Sequence, residues 1–231
     1  MRADMQQAIF DYVQSMRDAK AKNASGEHAQ QGNRGALTSG KHMSSIEQII
    51  RQDLMNEGLQ EKEVYSGGLN MNLPGWYRPA KNWDLLAVHN NRLIAAIELK
   101  SQNSSAGNNF NNRVEESLGS AEDASKAVKY GLIPGVPAPA FAFAMFVTIP
   151  DMMTERKIPN AKFPTDPVFD KTSYWDRYVI FLRRAIAERL YQTSWLVFID
   201  TKNMTISEPC SDFTYEKFIN VLKGQVRSAL A

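Results

Sequence analysis

Apolar positions near the start of the chain recur at helical spacing. Met5, Ile9, Val13 and Met16 stand in an otherwise polar segment, which predicts an amphipathic helix over 3–20. From 22 to 43 the pattern stops: this stretch is polar, carries four glycines and shows no apolar period, so residues 21–43 read as the chain's candidate mobile or functional loop. Helical spacing returns at Ser44 and continues through Ile46, Ile49, Ile50 and Leu54 to a stop at Gly58. Ser44 and Glu47 have the spacing of a capping box, which gives Glu47 a structural explanation.

The centre of the chain changes period. After a turn-rich stretch around Gly67, Pro74 and Pro79, two apolar runs at 83–89 and 93–102 flank Asn90 and Asn91, a pattern that predicts a β-hairpin. A helix follows over about 110–130, then a fully buried strand at 141–148. Beyond an irregular proline-containing segment come a helix at 174–191, a short strand at 195–200 and a last helix at 215–229. No internal repeat is visible. This order fits an α/β fold with a mixed central sheet flanked by helices. The length of 231 residues suits one domain over 1–231 whose core buries about 70 to 75% of the unfolded surface.

Composition narrows the class. Hydrophobic residues make up 43% and charged residues 23%, the balance of a soluble globular protein. The longest apolar run, 138–149, is too short for a bilayer, and Asp4 and Asp11 stand where a signal peptide would be basic and then apolar, so a cytoplasmic protein with no membrane role is expected. The lone Cys210 excludes an intrachain disulfide and a thiolate zinc site. His28, His42 and His89 lack metal-ligand spacing. Residues 35–41 match GxxxxGK, but His42 replaces the hydroxyl residue of a nucleotide-binding loop and no strand precedes it. A net charge of +2 permits a polyanionic partner without requiring one.

The candidate chemistry lies on the predicted hairpin. Asp84 sits near the start of one strand, thirteen residues intervene, and Glu98, Leu99 and Lys100 occupy the next. Glu98 and Lys100 are two apart and share a face, while Leu99 points the other way. A two-residue turn would pair Asp84 with Ile97, so for Asp84 to stand opposite Glu98 the hairpin needs a three-residue loop at 90–92 or a bulge nearby. Two carboxylates about 4 Å apart repel by roughly 4 kcal/mol at an effective dielectric near 20, a penalty that a shared cation removes. Magnesium needs only one or two carboxylates, so Asp84 and Glu98, with the Leu99 carbonyl, form a candidate site for it. Lys100 is placed to hold attacking water and stabilise charge on a phosphoryl centre. The apolar run 94–97 argues that two charges at its end have a role beyond solvation.

Other residues are secondary candidates. Glu47 is a further acid if its helix approaches the cluster, and Gln102 is the next position on the catalytic face. The segment 101–113 is crowded with amides, of which Asn108, Asn109, Asn111 and Asn112, together with Arg113, suit base edges and phosphates. Arg78 and Lys81, just before Asp84, suit backbone phosphates. Arg183, Arg184 and Arg189 on the helix at 174–191 are candidates for phosphate or dimer contacts.

The strings LPGWYRPAKNWDLLAV, RLIAAIELKSQ and GNNFNNRVEESLGSAED resemble the XhoI-type type II restriction endonucleases, with weaker likeness in GNRGALTSGKHM and YWDRYVIFLRRAIAERLYQ. The resemblance implies a PD-(D/E)xK nuclease core with Asp84, Glu98 and Lys100 on the motif positions. It also implies magnesium as cofactor, a homodimer on double-stranded DNA, a palindromic CTCGAG target and a companion DNA methyltransferase. Trp83 departs from the proline usual before the aspartate. Two other readings are a structure-selective repair or recombination nuclease of the same fold and a non-catalytic DNA-binding protein.

Overall fold

The computed structural model describes residues 1–24, 43–67, 71–103, 106–148, 152–159 and 161–231, with backbone alone at 20, 22–24, 106–108 and 136–137. Most of the polar segment 21–43, with His28, His42 and the GxxxxGK string, lies outside the described residues. The helix before it, α1 (Ala3–Ala24), runs beyond the expected end at 20.

Six strands form the central sheet in the order β1 (Val64–Ser66), β4 (Leu85–His89), β5 (Arg92–Gln102), β6 (Gly135–Val147), β7 (Thr193–Asp200) and β8 (Thr205–Ser207). The inner pairs β5–β6 and β6–β7 are parallel and the outer ones antiparallel, as expected of a mixed sheet. A separate two-stranded ribbon, β2 (Asn72–Pro74) with β3 (Ala80–Asn82), precedes β4. The three-residue strands were not expected, because elements so short carry no readable period.

Helices α1, α2 (Ser44–Met55) and α5 (Tyr215–Leu230) cover one face of the sheet, where Ile9, Ile50, Phe218 and Leu222 join Leu85, Ile97, Leu99 and Ala144 in one buried cluster. Helices α3 (Ala106–Lys129) and α4 (Tyr174–Ala187) cover the other, where Ala124, Tyr178 and Leu182 join Leu86, Ala96, Phe143 and Met145. The alternation AFAFAM along β6 sends Ala140, Ala142 and Ala144 to the three-helix face and Phe141, Phe143 and Met145 to the other. Helix α3 starts at Ala106, earlier than expected, so the amide-rich segment is largely helical. Among the described residues no helix is long and apolar enough to cross a membrane.

The ends of three helices are tied by one buried acid. Asp53 of α2 receives both oxygens' worth of hydrogen bonds from Arg2 at 2.7 and 2.9 Å, and the Tyr215 hydroxyl donates to it at 2.5 Å. This fixes the axis of α2, on which Glu47 rides. The expected capping box is absent: Met43 is the N-cap of α2 and makes no side-chain cap.

Candidate active site

The β4–β5 hairpin turns through Asn90 and Asn91, whose positive φ values of 49° and 59° suit a two-residue turn of the kind that matches strand twist. His89 therefore pairs with Arg92 and Val88 with Leu93. Between Ala87 and Val88 the register shifts, so that Ala87 faces Ala95 and Leu85 faces Ile97. Ile94 is the extra residue, and it lies in the same buried cluster as its neighbour Ala95, as a bulge requires. The bulge, rather than the longer loop, carries Asp84 to the position opposite Glu98. Asp84 closes the contact by accepting the Leu99 N–H at 2.7 Å, and its own N–H donates to the Ile97 carbonyl at 3.1 Å.

Glu98 is buried and carries an uneven set of partners. Lys100 Nζ lies 2.7 Å and Lys81 Nζ 3.0 Å from the same oxygen, Oε1. Oε2 is buried with no hydrogen-bond partner among the described residues. Lys81 comes from β3 and sits 4.4 Å above the Trp83 ring. Burial alone would raise the Glu98 pKa, but Lys100 and Lys81 outweigh it and hold the carboxylate below its ordinary value. For Asp84, burial dominates over the Leu99 hydrogen bond and nearby Lys100, and its pKa is raised. Burial pulls the Lys100 ammonium down, yet Glu98 and Asp84 leave it above the usual lysine value. Lys81 goes the other way, lowered chiefly by burial.

Glu47 reaches this neighbourhood from α2. It is 5% exposed, and burial followed by the nearby charge of Asp84 pushes its pKa up to about 7. A side chain added at Gly67 would come into van der Waals contact with its Oε2. With the capping role absent, its burial beside an acid is what the fold provides. Local sequence favoured the cap; only the docking of α2 on the sheet edge reveals the other position.

Gln102 is buried on the face of Glu98 and accepts the Tyr178 hydroxyl at Oε1. Arg113 donates to the Ser101 carbonyl at 3.3 Å and pairs with Glu116, and its charge is felt by Lys100. Asn111 and Asn112 are exposed on α3, Asn109 is half-buried, and the Asn108 side chain lies outside the described residues. Arg78 bonds buried Asp123 at 2.7 Å, and Asp123 also accepts the N–H groups of Trp76 and Tyr77, so Arg78 closes the β2–β3 loop. Arg183 and Arg184 pair with Asp212 and Asp166. The contact of Lys81 with Glu98 was missed from sequence; the i, i+2 spacing of Lys81 and Trp83 before Asp84 was the available signal.

The donor set suits a hard divalent cation. Among the described residues no three acidic, histidine or cysteine side chains form a complete protein cage, and magnesium does not need one, since it keeps waters and takes phosphate oxygens. The orphaned Glu98 Oε2 is an acceptor without a donor in a buried place, which costs about 1 to 3 kcal/mol unless something fills it. Residues of this site thus fit such an ion.

The chain is similar to a known family of enzymes. The family model described as restriction endonuclease XhoI matches residues 21–210. The chain is 36% identical over 220 residues to the type II restriction enzyme BstVI of Geobacillus stearothermophilus, covering 91% of this chain and 97% of that one. It is 36% identical over 164 residues to the type II restriction enzyme XhoI of Xanthomonas vasicola, covering 69% and 66%. It is 39% identical over 108 residues to the type II restriction enzyme AbrI of Azospirillum brasilense, covering 46% and 49%. No solved structure matches the chain.

Proposed function

The chain belongs to the XhoI restriction endonuclease family, and on that premise we propose that it is a magnesium-dependent type II restriction endonuclease cutting duplex DNA at a palindromic site. The target that the family resemblance implies is CTCGAG. One observation carries the catalytic assignment: buried Glu98, across the strand pair from Asp84 and paired through one oxygen to Lys100, keeps its other oxygen unpartnered among the described residues.

Asp84 and Glu98, with the Leu99 carbonyl, would hold the cation. The Leu99 N–H already points at Asp84, and in a strand the carbonyl of the same residue leaves on the same side, toward the same space. A divalent ion there supplies Lewis acidity toward the scissile phosphate and toward water. Lys100, raised in pKa and therefore protonated at neutral pH, orients the attacking water and stabilises negative charge as the phosphorus gains a fifth oxygen. Its bond to Glu98 fixes where its ammonium points. Glu47 is a further acid able to orient water, supported by its burial near Asp84.

Arg113 and the exposed Asn111 and Asn112 on α3 are the contacts proposed for DNA, with Asn108 and Asn109 beside them on the same helix. A palindrome asks for two-fold symmetry, so a homodimer with one site per strand follows, as does a companion methyltransferase protecting the host sequence. That work belongs in the cytoplasm.

Digestion of a mapped plasmid with and without magnesium, followed by sequencing of the cut ends, tests the reading. Cuts confined to CTCGAG, and only with magnesium, are expected. Cuts at junctions irrespective of sequence would favour a structure-selective nuclease, and binding with no cutting a non-catalytic protein.

A further inference from the structure

Lys81 reaches the charge cluster from outside the central sheet, on the ribbon where it pairs with Leu73. It occupies the oxygen of Glu98 that Lys100 already holds, at 3.0 against 2.7 Å, and it is only 12% exposed. Its other contacts are the Asn82 carbonyl, at 3.1 Å, and the face of the Trp83 ring. A second ammonium on one oxygen is redundant for Glu98 alone. It makes sense for the pair: two carboxylates, Asp84 and Glu98, face two ammoniums, Lys81 and Lys100, so with all four ionised the buried cluster is balanced without any cation.

That balance has a consequence for cation binding. A divalent ion added to this neutral cluster leaves two excess positive charges in a poorly solvated place, or one if Glu47 is also ionised. A DNA phosphate brings a negative charge of its own and gives Lys81 somewhere else to go. Lys81 is suited to move: it is held by a ribbon of two three-residue strands and by a flexible four-carbon stem, whereas Lys100 is fixed in the long central strand β5.

We propose that Lys81 is a resident counter-ion of Glu98 that weakens divalent-cation binding in the free protein and turns to the DNA backbone when DNA arrives, so that cation and DNA bind together. This rests on the nuclease reading above and adds a positioning residue to it. By linkage, whatever DNA gains for the cation, the cation gains for DNA. A free enzyme that binds its metal poorly is thereby kept from assembling its site away from the substrate.

Calcium serves as the probe, titrated calorimetrically into the parent, Lys81→Met and Lys81→Arg, each alone and with a duplex carrying the mapped site. Lys81→Met should bind calcium about tenfold more tightly than the parent without DNA, and the strengthening of calcium binding by DNA should shrink by about tenfold. Lys81→Arg should follow the parent. Equal calcium affinity of parent and Lys81→Met overturns the proposal. So does tighter binding with an unchanged DNA effect, because the lysine would then be a bystander charge. Thermal unfolding with chelator present checks the fold, and Lys81→Gln replaces Lys81→Met if the latter does not fold. A parent that cuts nothing with magnesium overturns the nuclease reading, while the DNA-free titration still decides the counter-ion.

Discussion

The carboxylate of Asp84 accepts the backbone N–H of Leu99 at 2.7 Å, a contact that locks the start of β4 against β5. It separates two roles of one side chain, because an asparagine can make the same hydrogen bond without the charge. Asp84→Asn should therefore fold as the parent does. Burial raises the Asp84 pKa, so losing that charge should leave metal-free stability equal or slightly higher. Cleavage should fall by about 10² to 10³-fold or more, since the cation would lose half of its carboxylate set. Plasmid nicking and thermal melting measure the two effects, and a variant that melts early with its cleavage intact would reverse the assignment.

Lys100 supports a second prediction, because it and Lys81 share Glu98 Oε1. Lys100→Met leaves Glu98 one ammonium partner, so folding and DNA binding in calcium should be close to the parent. Cleavage in magnesium should drop by about 10² to 10³-fold. Single-turnover kinetics at saturating enzyme isolate that loss from binding; an unchanged rate would remove Lys100 from the chemistry.

The hairpin was legible because its information is local. The Asn90 and Asn91 turn, the two-residue alternation and the requirement that Asp84 share a face with Glu98 together called for a three-residue loop or a bulge, and Ile94 supplies the bulge. Lys81 and Glu47 were harder for the same physical reason: both arrive by tertiary docking. Lys81 depends on two three-residue strands folding over the sheet end, and Glu47 sits in a local pattern that imitates a cap. Arg78 shows the reverse error of scale, since an arginine just before Asp84 suggests phosphate, while the distant Asp123 claims it.

Asp123 gives a pH dependence away from the proposed catalytic groups. Burial opposes its ionisation, but the N–H groups of Tyr77 and Trp76 and the Arg78 guanidinium win, and its pKa is lowered. A depressed carboxyl pKa means stability that is complete above the unfolded value of about 3.9 and is lost as pH falls through the folded value. Asp123→Asn should cost about 2 to 4 kcal/mol at pH 7 through the lost charge-assisted bonds. Its unfolding curve should approach that of the parent below about pH 4. Urea titrations at pH 7, 4 and 3 test this; a gap that stays constant with pH would mean the carboxylate's charge is not what holds the loop.

Salt dependence tests the DNA interface. With a net charge of +2 per chain, long-range attraction is weak, so affinity must come from local phosphate contacts. A dimer making about six to ten of them should lose about 10³ to 10⁵-fold in affinity between 50 and 200 mM salt. Arg113→Ala should flatten the slope of log affinity against log salt by about one per subunit's contact. Fluorescence anisotropy over a salt series reads it directly, and an unchanged slope would assign Arg113 to holding the Ser101 carbonyl and Glu116 alone.

Glu47 is the sharpest remaining test of how the helical layer enters the chemistry. A buried acid with no capping role, set near Asp84, is unfavourable for the fold unless the site uses it. Glutamine keeps its size and hydrogen-bonding reach while removing the charge, so Glu47→Gln should fold at least as stably as the parent. If Glu47 orients water or supports the cation, cleavage should fall by about ten to a hundredfold, and the magnesium concentration for half-maximal rate should rise. Because α2 is pinned by Asp53 to Arg2 and Tyr215, an Asp53→Ala change should shift the same two quantities through misplacement of α2, at an added cost of about 1 to 3 kcal/mol from the lost hydrogen bonds to the half-exposed Arg2 and the buried Tyr215 hydroxyl. The two variants then separate charge from position: a rate loss in Asp53→Ala with none in Glu47→Gln would make Glu47 a packing residue whose acid is incidental.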